Sequence, residues 1–213
     1  KVGVWLQVGV NYANDYSDGV KGSDANRVGP TRLVASGLAT AGQVKRAAFI
    51  SFGIASIAGL WLSLLSSPWL LLVGVAAITA AWGYTGGKNP YGYSGLGEVS
   101  VFIFFGLTAT VGTYYVQTLE FSGAAFAASV SMGSLSCALL AINNIRDRAQ
   151  DAQVGKKTLA VRLGDENARH FFIALLALPY IFAPLTGNPL AFLTLASAPH
   201  AQNLPAFQGV RVA

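Results

Sequence analysis

Two stretches of this 213-residue chain set acids and amides at helical spacing. The first reads Asn11-Tyr-Ala-Asn14-Asp15-Tyr-Ser-Asp18-Gly-Val-Lys21-Gly-Ser-Asp24. On a helix Asn11, Asp15 and Asp18 stand at i, i+4 and i+7, and Asn14 and Asp18 at i and i+4. The second reads Asn143-Asn144-Ile-Arg146-Asp147-Arg148-Ala-Gln-Asp151, with Asn143, Asp147 and Asp151 at i, i+4 and i+8. Such spacing lets oxygens converge on one side of each helix. An oxygen-only set selects hard divalent cations, and magnesium is usually held by a few carboxylates, waters and substrate phosphates. Asn14, Asp15, Asp18, Asn143, Asp147 and Asp151 are therefore expected metal ligands, with Asp18, Asp147 and Asp151 essential to turnover. The neighbouring bases Lys21, Arg27, Arg32, Lys156 and Lys157 are expected to meet phosphate oxygens that a metal leaves uncovered. A diphosphate leaving group fits this combination.

The elements that carry these residues are apolar. The chain is 53% hydrophobic and 11% charged, less than half the roughly 25% charged share of soluble domains. Apolar segments near the roughly 20 residues needed to cross a bilayer recur along it, for example at Ala47–Leu65, Val99–Leu119 and Phe121–Ile142. The predicted fold class is all-α, a polytopic transmembrane bundle forming a single domain over 1–213. A partial helix should run to about Asn14, with spans near 46–66, 69–84, 98–118, 121–145, 169–185 and 189–203. Lys1 leads straight into an apolar run with no signal-peptide pattern, and a first helix is expected to be cut or missing. A net charge of +5 would suggest nucleic acid in a soluble protein, but here the bases lie between apolar spans. They imply a lipid bilayer or an anionic substrate instead, and no nucleic acid. Cys137 is the only cysteine and lies in an apolar span, so it is expected to pack rather than react.

Three connectors, 15–46, 84–98 and 146–169, hold twelve of the fourteen Lys and Arg residues and eight of the nine acids. Lys and Arg accumulate on the cytoplasmic side of membranes, so all three should face the cytoplasm, as loops of a multi-pass inner-membrane protein. Carboxylates beside a membrane interior are costly and usually functional. Two Asn-x-x-x-Asp repeats at matched span ends thus outweigh a reading as solvated loop charge. A short repeat, Asp24-Ala-Asn-Arg-Val-Gly and Asp151-Ala-Gln-Val-Gly, follows the two motifs. The middle connector, Tyr84-Thr-Gly-Gly-Lys88-Asn-Pro-Tyr91-Gly-Tyr93-Ser-Gly-Leu-Gly-Glu98, is aromatic and glycine-rich. Tyr84 and Lys88 are the residues there suited to stack on a flat ring and to pair with its carboxylate. Tyr91 and Tyr93 fit an interfacial aromatic belt equally well.

At these residues the chain resembles the UbiA-type intramembrane prenyltransferases, and within them the branch that prenylates 1,4-dihydroxy-2-naphthoate in menaquinone biosynthesis. The stretches that carry the resemblance are Asn14–Gly19, Arg27–Gly37, Tyr84–Gly87 with Gly95–Glu98, and Asn143–Asp147 with Gly155–Gly164. It implies a nine-helix bundle, magnesium and a polyprenyl diphosphate on both acidic motifs, and the naphthoate as acceptor, with loss of its carboxylate. Fewer helices are counted here, so terminal helices are expected to be absent. Where the wider family often has an Asp eight residues after the first Asn, this chain has Gly22, and Asp24 is the expected substitute ligand. Lys88 stands where the family pattern has proline.

Other aromatic acceptors such as 4-hydroxybenzoate or homogentisate would leave the acidic motifs unchanged. A lipid phosphotransferase would need Asp-Gly-x-x-Ala-Arg, and Val20-Lys21-Gly22-Ser23 follows Asp18-Gly19 instead. A transporter would place its carboxylates in broken helices near mid-membrane.

Overall fold

The computed structural model describes residues 2–23 and 30–189. Asp24 and Arg27 lie outside the described residues, as does nearly all of the span expected at 189–203. The described residues are helical, with no strand among them. Among the described residues six long helices follow in order: α1 Val2–Lys21, α2 Ala41–Leu65, α3 Leu70–Thr85, α4 Gly97–Thr118, α5 Gly123–Gln153 and α6 Leu159–Phe182.

Four helical stretches, Ala41–Leu65, Gly97–Thr118, Gly123–Gln153 and Leu159–Thr186, are long and apolar enough to cross a membrane. The protein is a multi-pass membrane protein. α3 is apolar but has only 16 residues. At 1.5 Å per residue that is about 24 Å, short of the roughly 30 Å hydrocarbon core. The segment expected at 69–84 is found as this helix, displaced by one residue and of the same length.

Helices also run further into the charged connectors than their apolar runs suggest. α1 continues past Asn14 to Lys21, and α5 past Ile145 to Gln153. Both stop at a glycine in the left-handed region, Gly22 (φ 72°) and Gly155 (φ 77°). At each, two backbone bonds close the end: Ser23 N–H to Asp18 C=O and Gly22 N–H to Gly19 C=O, then Lys156 N–H to Asp151 C=O and Gly155 N–H to Ala152 C=O. This is the Schellman arrangement. Asp18 and Asp151 therefore hold the same position in two alike helix ends. The short repeat noted in the sequence begins at Asp24, outside the described residues, and the likeness seen here pairs Asp18 with Asp151 instead.

The chain forms two compact units. One comprises residues up to Ser94 together with Gln150–Lys156; the other comprises Gly95–Ala149 and the residues from Lys157. In the first, α1 packs on α2 and α3 around Ala13, Ala48 and Phe52. Gly9 makes this approach possible, because a Cβ there would sit 2.5 Å from the Phe52 ring. A capping box, with the Thr40 hydroxyl accepting the Gln43 N–H and the Gln43 side chain accepting the Thr40 N–H, starts α2.

The second unit is built on Cys137, Ala138, Ala141 and Ile145 of α5 and Ala160, Ala168, Phe172 and Leu175 of α6. Cys137 is buried there, as expected, and its thiol donates to the Glu98 carbonyl at 3.1 Å. α4 crosses α5 at Gly106 and Gly133, where a Cβ on Gly106 would lie 2.6 Å from the Gly133 Cα. Small residues let membrane helices approach this closely. The π-helical stretch Phe102–Thr108 of α4 coincides with that crossing.

Candidate active site

The first acidic motif folds into a cluster inside the first unit. Asn14, Asp15, Asp18 and Lys21 lie on the C-terminal half of α1. Thr85 ends α3, and its hydroxyl donates to Asn14 Oδ1 at 2.8 Å while its carbonyl accepts the Lys21 ammonium at 2.6 Å. The Lys21 pKa is held below the ordinary lysine value, first by loss of water around the ammonium and then by repulsion from Lys156, which together outweigh the attraction of Asp18.

Asp18 is 6% exposed. Its Oδ1 accepts a short hydrogen bond from the Tyr93 hydroxyl, and the Lys156 ammonium lies 3.4 Å from the same oxygen. The left-handed Gly155 turns the chain after α5 so that Lys156 reaches this point. The Tyr93 ring meets two cations, Lys156 at 4.5 Å and Lys21 at 4.8 Å from its centroid. Ser23 Oγ lies 3.4 Å from the Tyr93 hydroxyl. The structure thus brings together Asn14, Asp18, Lys21 and Lys156 of the residues singled out from the sequence.

Asp15 has a different task. Its two oxygens accept the backbone N–H groups of Leu33 at 2.8 Å and Val34 at 3.0 Å, and the residue is 5% exposed. One turn on, a Cβ at Gly19 would lie 2.6 Å from the Val34 Cβ. Asp15 and Gly19 together form a seat on α1 for the segment after Pro30, which carries Arg32. A carboxylate so occupied anchors a loop. Standing one residue from Asn14, Asp15 points about 100° around the helix from it.

The expected aromatic residues belong to the same unit. Tyr84 meets Tyr91 edge to face, with ring centroids 5.6 Å apart, and the Tyr91 hydroxyl donates to the Ala80 carbonyl at 2.7 Å. A Cβ on Gly92 would lie 2.6 Å from the Tyr84 carbonyl oxygen, so only glycine lets the short helix Tyr91–Ser94 settle there. Lys88 is exposed on the loop before it. Asp151 is half-buried at the end of α5.

In the second unit, Asp147 forms a bidentate pair with the adjacent Arg146 at 2.7 and 2.8 Å. Asn143 turns back on its own helix, donating to the Leu139 carbonyl at 2.9 Å. Lys157 is exposed, and its carbonyl accepts from Arg162 Nε at 3.1 Å. Sequence reasoning passed over Glu98, which is 5% exposed and accepts the Asn144 side-chain amide at 2.9 Å, steadying the residue beside Asn143. An acid opening an otherwise apolar span was the available signal. Tyr93, weighed only as part of an aromatic cap or an interfacial belt, instead contacts Asp18, and that contact has no local signal in the sequence.

Among the described residues no three His, Cys, Asp or Glu side chains gather into a metal cage. Among the donors in the first unit are a buried carboxylate, Asp18, and an amide oxygen, Asn14, one helical turn apart, with two ammonium groups nearby. This set fits a magnesium ion that arrives with substrate phosphates and keeps part of its water shell, since magnesium is commonly held through one or two carboxylates. It does not fit an all-protein site.

A family model described as the UbiA prenyltransferase family matches residues 2–207. The chain is 50% identical over 200 residues to a 1,4-dihydroxy-2-naphthoate octaprenyltransferase of Mycobacterium tuberculosis, an alignment covering 93% of this chain and 68% of that one. A protein of the same name in Mycobacterium leprae is 52% identical, with 82% of this chain and 60% of the relative covered. Another in Escherichia coli is 42% identical, with 80% and 58% covered. The chain therefore spans between 58% and 68% of the length of these relatives. No solved structure matches it significantly.

Proposed function

Because the chain belongs to the UbiA prenyltransferase family, we propose that it is an aromatic polyprenyltransferase, a single domain that moves a polyprenyl group from its diphosphate to 1,4-dihydroxy-2-naphthoate. The observation that carries this reading is the buried Asp18 carboxylate set among Tyr93, Lys21 and Lys156. One fixed anion edged by two flexible ammonium groups suits a metal diphosphate, whose charges it complements in both signs. The acceptor is taken from the names of the relatives. 4-Hydroxybenzoate, homogentisate and other aromatic acids are the competing acceptors.

In this reading Asn14, Asp18 and Asp151 would hold magnesium, and Asn143 and Asp147 are the oxygen ligands the second motif would offer. When bound, the ion neutralises charge on the departing diphosphate and so lowers the barrier to its leaving. Lys21 and Lys156 hold phosphate oxygens through charge-assisted hydrogen bonds, as do Arg27, Arg32 and Lys157. Bonds that strengthen as charge develops on the leaving group stabilise the transition state more than the bound substrate. The allylic C–O bond breaks and its electron pair leaves with the diphosphate. The ring carbon bearing the carboxylate forms the new C–C bond, and the carboxylate departs as carbon dioxide, returning its bonding pair to the ring. The product is demethylmenaquinone in its reduced, quinol form, and no protein nucleophile is required.

Tyr84 and Lys88 are assigned to the acceptor. Lys88→Ala is expected to raise KM for the naphthoate about tenfold, the factor for roughly 1.4 kcal/mol of lost charge-assisted binding. KM for the prenyl diphosphate should stay put. Lys156→Ala should do the reverse. Steady-state kinetics with each substrate varied in turn checks both, and an unchanged acceptor KM in the Lys88 variant would return that residue to the lipid headgroups.

The charged connectors are assigned to the cytoplasmic face of the cell membrane on loop charge alone. Cysteines placed at Ser23, Asn89 and Gln153 should therefore react with an impermeant reagent only from that face, and one at Gly187 only from the other. Opposite labelling of Asn89 and Gln153 would break the single-face assignment.

The test of function is incubation of the purified chain in lipid with magnesium, a labelled polyprenyl diphosphate and a panel of aromatic acids. The naphthoate should be prenylated fastest. Preferred transfer to 4-hydroxybenzoate or homogentisate would move the chain to another branch of chemistry, and no transfer to any acid would sink the enzymatic reading.

A further inference from the structure

Tyr93 belongs to neither acidic motif, yet three charged side chains meet on it. Its hydroxyl donates to Asp18, and its ring takes Lys156 and Lys21 within 4.8 Å of the centroid. From this geometry we infer that Tyr93 is a positioning residue, whose ring spaces the two ammonium groups and whose hydroxyl aims the Asp18 carboxylate toward the metal diphosphate. The inference rests on reading this cluster as the diphosphate site.

Lysine side chains are long and lose considerable freedom when held, and two ammonium groups close together repel. An aromatic face attracts each of them and so offsets both penalties. A ring can do this only if it is itself fixed, and Tyr93 is. The short helix Tyr91–Ser94 is fastened by the Tyr91 hydroxyl on the Ala80 carbonyl, by the Tyr84–Tyr91 edge contact and by Gly92 against Tyr84. The Tyr93 hydroxyl and the Lys156 ammonium share one oxygen, Asp18 Oδ1. Removing the hydroxyl therefore leaves the carboxylate held from one side only. Flexible cations and an anion fixed before substrate arrives lower the ordering cost of binding.

Tyr93→Phe and Tyr93→Leu separate the two tasks. Calorimetry in detergent on the full chain, titrating pyrophosphate in excess magnesium, gives binding without turnover. Tyr93→Leu, which removes ring and hydroxyl together, is expected to weaken binding about thirtyfold, about tenfold from two ring–cation contacts and about threefold from the hydroxyl. Tyr93→Phe, which keeps the ring, should weaken it by about threefold and raise the magnesium concentration for half-maximal activity. KM for the prenyl diphosphate should follow these changes, while KM for the naphthoate stays constant. Equal rises in both KM values would reduce Tyr93 to a packing residue. Wild-type binding in Tyr93→Leu would overturn the inference and leave the diphosphate site standing. A wild-type chain that binds no magnesium pyrophosphate would overturn the site reading, and the role of Tyr93 with it.

Discussion

Asp18→Ala is expected to lower prenyl transfer by at least about a hundredfold, the loss seen when one preorganised electrostatic group is removed from a site where charge develops, while the protein stays folded in the membrane. Asp18 combines three features in the first unit: burial, a hydrogen bond from Tyr93, and an ion pair with Lys156. Deleting it removes the expected magnesium ligand and also the anion that keeps two ammonium groups from repelling each other across one ring. Asp18→Asn keeps shape but not charge. If the carboxylate works as a ligand and counter-ion, Asn should be nearly as damaging as Ala. If it works only as a hydrogen-bond acceptor for Tyr93, Asn should restore most activity. Initial rates across a magnesium titration, with thermal melting in detergent as the folding control, distinguish these outcomes. Near-normal transfer by a folded Asp18→Ala chain would remove the proposed site altogether.

Asp15→Ala should fail in a different way. Two backbone N–H groups, of Leu33 and Val34, lose their shared acceptor. Hydrogen bonds to charged groups contribute about 1.5–3 kcal/mol each. With water replacing part of the loss, about 3 kcal/mol of anchoring is expected to go, enough to lower Tm by about 6–12 °C in a chain of this size. The segment 30–37 should become open to protease, and KM for the prenyl diphosphate should rise because Arg32 is no longer held. Magnesium dependence should be unaltered in the activity that remains, in contrast with Asp18→Ala. Limited proteolysis beside a magnesium titration tests the assignment. A protected loop together with a shifted magnesium requirement would make Asp15 a ligand after all.

These two acids show where single-sequence reasoning reaches and where it stops. Asn14 and Asp18 were legible as partners because i and i+4 share a helix face, and Lys156 was legible as a basic neighbour of Asp151. Asp15 was expected as a ligand on the same argument, since Asn11, Asp15 and Asp18 stand at i, i+4 and i+7, and its anchoring role was not legible. Its partners stand 18 and 19 residues away in a connector without periodicity. The available clue was Gly19, one turn after Asp15, where an absent side chain leaves room for a chain to dock. Tyr93 gave no such clue, since its partner lies 75 residues back and is reached through a glycine-dependent turn. The all-helical membrane fold was readable because apolar length and low charge follow directly from the bilayer. Helix ends were not. Hydropathy reports where lipid contact stops, whereas α1 and α5 stop where a left-handed glycine caps them.

Lys88 marks the same limit from the other side. A charged residue replacing an expected proline on an exposed loop is easy to see in the sequence, but the partner proposed for it is the substrate, which no intramolecular contact reveals.

The measurement that bears most directly on the whole account uses naphthoate labelled in its carboxylate, with the full chain, magnesium and a polyprenyl diphosphate. Prenyl transfer with displacement of the carboxylate predicts one labelled carbon dioxide released for each ring prenylated, with neither product formed when magnesium or the diphosphate is withheld. Label retained in a prenylated product, or label released without the diphosphate, would contradict it.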